Sequence, residues 1–234
     1  MKFRTEQEAF WAGEFGNDYI ERNRSADYLS ANLAFFSNAL KATQELKSCI
    51  EFGANVGMNL RALQLLLPEI SLRGIEINAE AASHLRELVG AANTFETSIL
   101  DFEPQETSDL SLIKGVLIHV NPDQLQNIYD RLYRCSHRYI LVCEYYNPTP
   151  VAIGYRGHQD RLFKRDFAGE LLDKYSDLIL RDYGFSYHRD PKFAQDDITW
   201  FLLEKVLVRR GGLEINGSCQ KKEPLEAKSK NQLY

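Results

Sequence analysis

Positive charge is not in surplus in this sequence. Its 28 lysines and arginines stand against 33 aspartates and glutamates, a net charge of −5. Without a global positive field, DNA and RNA are poor expected partners. Cysteine is scarce: Cys49, Cys135, Cys143 and Cys219 are far apart and form no CxxC pair. Residues of metal-ligand type do not cluster at metal spacing either, so reduced thiols and no metal are expected. No apolar run approaches the roughly 18 residues of a membrane span. The first residues are charged where a signal peptide would be apolar. These absences predict a cytoplasmic protein with no membrane partner, and no internal repeat is visible.

The 234 residues, 44% apolar and 26% charged, suit one globular domain with a substantial core. An aromatic lead over residues 3–23 carries Phe10, Trp11, Phe15 and Tyr19, broken by Gly13 and Gly16. Helical spacing of Tyr28, Leu29, Leu33, Phe36 and Leu40 predicts an amphipathic helix over residues 26–46. Strands are expected at 48–52, 70–77, 94–97, 109–117 and 138–143. Helices are expected at 57–67, at 80–89 and after Pro122. Residues 144–161, with two prolines and two glycines, read as a long connection. Phe163, Phe167, Leu171 and Tyr175, four apart, then read as a helix. Runs at 178–188 and 198–208, with no helix between, predict an antiparallel hairpin at a sheet edge. The expected fold is therefore α/β: a doubly wound, mostly parallel seven-stranded sheet ending in that hairpin. Three parts follow: an N-terminal lid or cover over 1–47, a ligand-binding domain over 48–208, and a polar tail over 209–234 expected to be disordered.

Ligands of such folds sit beyond the carboxyl ends of the strands. Glu51, Gly53, Gly57, Glu76, Asp101, His119 and Glu144 all fall at predicted strand exits. The first loop, Glu51-x-Gly53-x-Asn55-x-Gly57, lacks the G-x-G-x-x-G spacing that seats a pyrophosphate. Its acid precedes the first glycine, where it would repel a diphosphate. S-adenosylmethionine has no phosphate; its sulfonium and ammonium favour a carboxylate-lined, aromatic-walled cleft. Glu76 can accept from two ribose hydroxyls, and Asp101 is placed to accept from an adenine amino group.

Glu51-x-Gly-x-Asn-x-Gly57, Glu76 and Asp101 together resemble the successive binding motifs of class I S-adenosylmethionine-dependent methyltransferases. The departure is Asn55, where that family has a middle glycine. Asparagine tolerates left-handed backbone angles better than most residues. A narrower resemblance, over about residues 8–208, is to the methylases associated with pseudaminic acid biosynthesis. It rests on residues 10–23, 51–60, 74–78, 182–191 and 196–204. It implies a methyltransferase acting at oxygen or nitrogen of a sugar, a sugar nucleotide or a related surface-glycan intermediate.

Candidate cofactor contacts are Glu51, Gly53, Asn55, Gly57, Glu76, Ile77, Asp101 and Phe102, with Tyr19 and Arg22 from the N-terminal lid. Catalytic candidates, as bases, are His119, Glu144 and His158. Tyr145, Tyr146, Arg156, Arg161 and His188 are candidates for the acceptor. The arginines could hold a carboxylate or phosphate by bidentate hydrogen bonds. Open alternatives are a protein or small-metabolite acceptor and a non-catalytic binding protein that keeps the fold. An oligomer is compatible with the sequence.

Overall fold

The computed structural model describes residues 3–20, 25–155 and 158–206, with the backbone alone for 155 and 158–161. Two short helices open the described chain, α1 (Glu6–Ala12) and α2 (Glu14–Ile20), followed by α3 (Ala26–Ala39). The core then alternates: β1 (Ser48–Phe52), α4 (Met58–Leu66), β2 (Ser71–Glu76), α5 (Ala79–Val89), β3 (Thr94–Glu96), β4 (Ser108–Lys114), α6 (Leu125–Cys135) and β5 (Ser136–Glu144). A small hairpin, β6 (Val151–Tyr155) and β7 (His158–Lys164), precedes α7 (Phe167–Lys174), β8 (Leu178–Phe185) and β9 (Thr199–Lys205).

Seven strands form one sheet in the order β3-β2-β1-β4-β5-β9-β8. Neighbours from β3 to β5 run parallel, and β9 joins β5 antiparallel with β8 at the edge. This is the doubly wound sheet and terminal hairpin expected. Alternate residues feed opposite faces, as a pleated strand requires. Cys49, Leu110, Leu112, Tyr139 and Leu141 pack with α3 and α4. Ile50, Phe52, Ile113, Ile140 and Val142 pack with α6 and α7. Strand order reverses between β1 and β4, and register aligns Phe52 with both Ile75 and Ile113. The exits of β1, β2 and β4 therefore lie level at the switch point, where a ligand crevice belongs.

Three expectations are corrected. The 144–161 connection is not all loop, since β6 and β7 pair as a separate two-stranded sheet. Phe163 lies in β7 rather than on a helix, and α7 begins only at Phe167, where Asp166 Oδ1 accepts from Gly169 N at 2.8 Å. The helix expected to reach residue 46 stops at Ala39.

Candidate functional site

The loop from β1 to α4 makes the floor of the site. Gly53 (φ 72°), Asn55 (φ 50°) and Gly57 (φ 82°) all take left-handed angles, so the chain turns sharply without a long connection. Asn55 meets the demand of that conformation with its side chain, whose Oδ1 accepts from Val56 N at 2.7 Å. A Cβ on Gly53 would stand 2.6 Å from Val116 Cγ2. A Cβ on Gly57 would instead stand 2.8 Å from Leu88 and 3.0 Å from Leu85, both on α5. Both glycines thus permit close packing, and of the two Gly53 lines the cavity.

Glu76 ends β2 and is fastened from both sides. Asn55 N donates to Oε2 at 2.7 Å and Asn78 N donates to Oε1 at 2.8 Å. Burial raises its carboxyl above the usual range, opposed by the N–H groups of Asn78, Asn55 and Ile77. The carboxylate still borders a cavity of about 460 Å³, within the ~300–1,000 Å³ typical of small-molecule sites. Gly53, Asn55, Ile77, Tyr19, His119 and His188 line it too. Asn78 caps α5 through Ala81 N at 3.0 Å, and its Nδ2 donates to Asn17 Oδ1 at 2.6 Å and Trp11 O at 3.3 Å. One side chain therefore ties the N-terminal helices to the rim.

Those helices supply an aromatic wall. Trp11 meets Tyr19 edge to face at 5.3 Å and lies 4.7 Å from the His119 ring. Glu8 closes a capping box on α1 and accepts from Ser98 Oγ of the loop after β3. No local pattern in the sequence pointed to Glu8 or Trp11 as cavity residues, because their partners lie far along the chain. Also unforeseen are Ile99 and Leu100, the β8–β9 connection from Ala194 to Asp196, and Lys114, the last residue of β4.

Several expected contacts lie elsewhere. Glu51 is fully buried beneath the floor, where Asn59 Nδ2 donates to its Oε1 at 2.6 Å; burial pushes its carboxyl up to about 8, opposed by that bond and by Lys114. Asp101 turns to an ion pair with Arg4, so it does not face the cavity. Phe102 packs on Phe95 (4.9 Å) and Phe52 (6.3 Å) in the core. Glu144 is buried away from the cavity, because the strand pleat sends its Oε1 to Val116 N (3.0 Å) and Leu117 N (2.9 Å). Burial takes it to about 7 against those N–H groups. It braces the turn after β4 and does not face an acceptor. Tyr145 lies beneath Lys164 (5.0 Å) and Tyr146 against Phe201 (5.8 Å), so neither walls the cavity. His188 reaches the cavity rim while its Nδ1 pairs with Asp197 at 2.9 Å. Arg22, Arg156 and residues 207–234 lie outside the described residues, as do the side chains of His158 and Arg161.

Among the described residues, no group of three His, Cys, Asp or Glu side chains is arranged to hold a metal, and no helix is long and apolar enough to cross a membrane. No family model matches the sequence, and no curated protein does. Solved structures do match the fold. One is a Burkholderia thailandensis 1,6-didemethyltoxoflavin-N1-methyltransferase with bound 1,6-didemethyltoxoflavin and S-adenosylhomocysteine. It is 14% identical, covers 88% of this chain and 91% of its own, and has a TM-score of 0.65. A Leishmania major SAM-dependent methyltransferase is 12% identical over 85% of this chain and 81% of its own, with a TM-score of 0.63. A Synechocystis magnesium protoporphyrin IX methyltransferase with bound SAM is 11% identical over 88% and 100%, with a TM-score of 0.56. The chain has the Rossmann-like fold that these S-adenosylmethionine-dependent methyltransferases share.

Proposed function

We propose that the protein is an S-adenosylmethionine-dependent methyltransferase whose acceptor is a sugar, a sugar nucleotide or a nonulosonic acid. The observation that carries the cofactor is Glu76, a carboxylate fixed by two backbone N–H groups at the mouth of the cavity. Its remaining lone pairs suit the two hydroxyls of a ribose. The residues present fit the cofactor in two further ways. Gly53 brings bare backbone to the cavity wall, and Trp11 and Tyr19 give aromatic walls suited to a sulfonium.

Bound S-adenosylmethionine would supply an activated methyl group, transferred by direct displacement to the acceptor. The chain's own contribution is alignment in a cleft that the α1–α2 cover shields from water. His119, on the cavity wall, is the residue proposed to take the proton of an alcohol acceptor, an effect of about 10²–10⁴-fold. An amine acceptor needs no such base at the transfer step. The sugar assignment rests on the resemblance carried by residues 10–23, 51–60, 74–78, 182–191 and 196–204. The polar wall of Asn59, Asn121, His188 and Gln195 is compatible with it.

The test is turnover. S-adenosylhomocysteine should form from S-adenosylmethionine when nucleotide-linked or free nonulosonic sugars are added. His119→Gln should lower kcat by about 10²–10⁴-fold for a hydroxyl acceptor. Turnover with a protein or another metabolite alone would overturn the sugar assignment, and binding without any turnover would point to a non-catalytic protein.

A further inference from the structure

The cavity has a second polar region that the cofactor contacts above do not use. Lys114 closes β4 on the same face as Leu110 and Leu112 and is 9% exposed. Among the described residues it is the only lysine or arginine lining the cavity. Its Nζ stands 5.5 Å from the Tyr28 ring centroid and 5.3 Å from that of Phe35, and among the described residues it makes no hydrogen bond or ion pair. A buried ammonium is costly unless an anion or several acceptors replace its water, and two ring faces replace only part of it. Glu51 and Glu144 both feel its charge, yet among the described residues no salt bridge joins it to either. Burial holds the Glu51 carboxyl up at about 8, protonated at neutral pH.

Other polar groups in or behind the cavity wall are also incompletely paired. Gln195, 8% exposed and lining the cavity, has an Oε1 without a partner, while its Nε2 donates to Asn32 Oδ1 at 2.8 Å. Asn32, fully buried, leaves its Nδ2 unpaired. With both amides turned over, the same pair keeps its bond and Gln195 has an N–H in place of its unpaired oxygen, the form a carboxylate recruits. Asn59 Oδ1 is unpaired as well.

We infer that the wall formed by Lys114, Gln195 and Tyr28 is a carboxylate-binding subsite, and that the methyl acceptor supplies the carboxylate. This rests on the methyltransferase reading above. Lys114 would hold the ligand by charge, and Gln195 would fix its orientation through one hydrogen bond. A second source of the same chemistry is the amino-acid end of the cofactor, and the experiment separates the two.

The readout is the Lys114 Nζ resonance in protein labelled with 15N-lysine, identified by its loss in Lys114→Met. In protein saturated with S-adenosylhomocysteine, acetate should shift this signal saturably, and the neutral isostere acetamide should not. No response to acetate either in that complex or in the unliganded protein overturns the subsite. If S-adenosylhomocysteine itself shifts the signal and abolishes the acetate response, while 5′-methylthioadenosine, which lacks the carboxylate, does neither, the acceptor assignment is overturned in favour of the cofactor. Lys114→Met should bind S-adenosylhomocysteine within about twofold of wild type. A parallel loss of more than tenfold for both adenosyl ligands would mark Lys114 as structural and overturn the proposal. Failure of both ligands to bind the unaltered protein is a different result, because it removes the methyltransferase reading itself.

Discussion

Asn55 stands where the related motif has glycine, and its conformation shows how the loop accommodates the exchange. Its φ of 50° is one that asparagine adopts more readily than most residues, and its own Oδ1 satisfies Val56 N. Asn55→Gly should keep stability within about 1 kcal/mol, since glycine regains the angle and loses one local hydrogen bond. Asn55→Val should cost about 1–3 kcal/mol, because a β-branched residue is strained there. Urea denaturation checks both, read as a change in midpoint at constant slope. Glu51 allows a pH test. Its folded pKa, about 8, lies above the ~4.3 of an unfolded chain, so the native protein holds a proton that the unfolded chain releases. The stability this group contributes is complete below about pH 4 and is lost as pH rises through about 8. Glu51→Gln removes that titration and leaves those of Glu76 and Glu144 in place. The unfolding free energy of wild type minus Glu51→Gln should therefore fall from pH 5 to pH 8.5. A pH-independent difference would contradict a protonated Glu51.

At the scale of elements, the site depends on how the N-terminal helices are held against the sheet. Asn78 caps α5 through its Oδ1 and holds Trp11 and Asn17 through its Nδ2. Asn78→Asp keeps the capping oxygen and removes the donor. Amide hydrogen exchange should then quicken in residues 6–20, by roughly the ~1 kcal/mol of a lost hydrogen bond, with α5 unchanged. Faster exchange confined to α5 would show that the cap, not the tie, is what Asn78 provides. These contacts were not legible in the sequence. Glu8 and Ser98, 90 residues apart in the chain, or Trp11 and His119 meet only in the folded chain, and no local period announces such pairs. The β6–β7 hairpin was hidden for the opposite reason: prolines and glycines around a short run of alternating residues look like coil. The exits of β1, β2 and β5 were read well because their apolar runs stop at or beside an acid, whereas β4, expected to reach residue 117, ends at Lys114. The direction of each exit side chain was not legible, since it depends on pleat and on neighbours. Glu144 turns back to brace the chain after β4, while Glu76 stays at the cavity.

For the molecule as a whole, strand order does most of the positioning. Five parallel strands with β1 and β4 adjacent at the reversal bring the exits of β1, β2 and β4 to one edge, and the antiparallel β9 and β8 extend the wall with the connection between them. Hydrophobic runs and turn residues in the sequence were sufficient for a doubly wound seven-stranded sheet with a terminal hairpin, while the strand order comes from the structure. They could not separate Gly53, which lines the cavity beside Val116, from Gly57, packed on α5, because the difference lies in which side chains face each one. Nor did an apolar strand ending in lysine signal that Lys114 would line the cavity. The central claim is that this cavity binds S-adenosylmethionine through Glu76, and calorimetric titration tests it most directly. S-adenosylmethionine should bind one to one, and Glu76→Ala should weaken binding at least about tenfold, the equivalent of ~1.4 kcal/mol in lost charge-assisted hydrogen bonds. No binding to the unaltered protein, or equal affinity in Glu76→Ala, would contradict it.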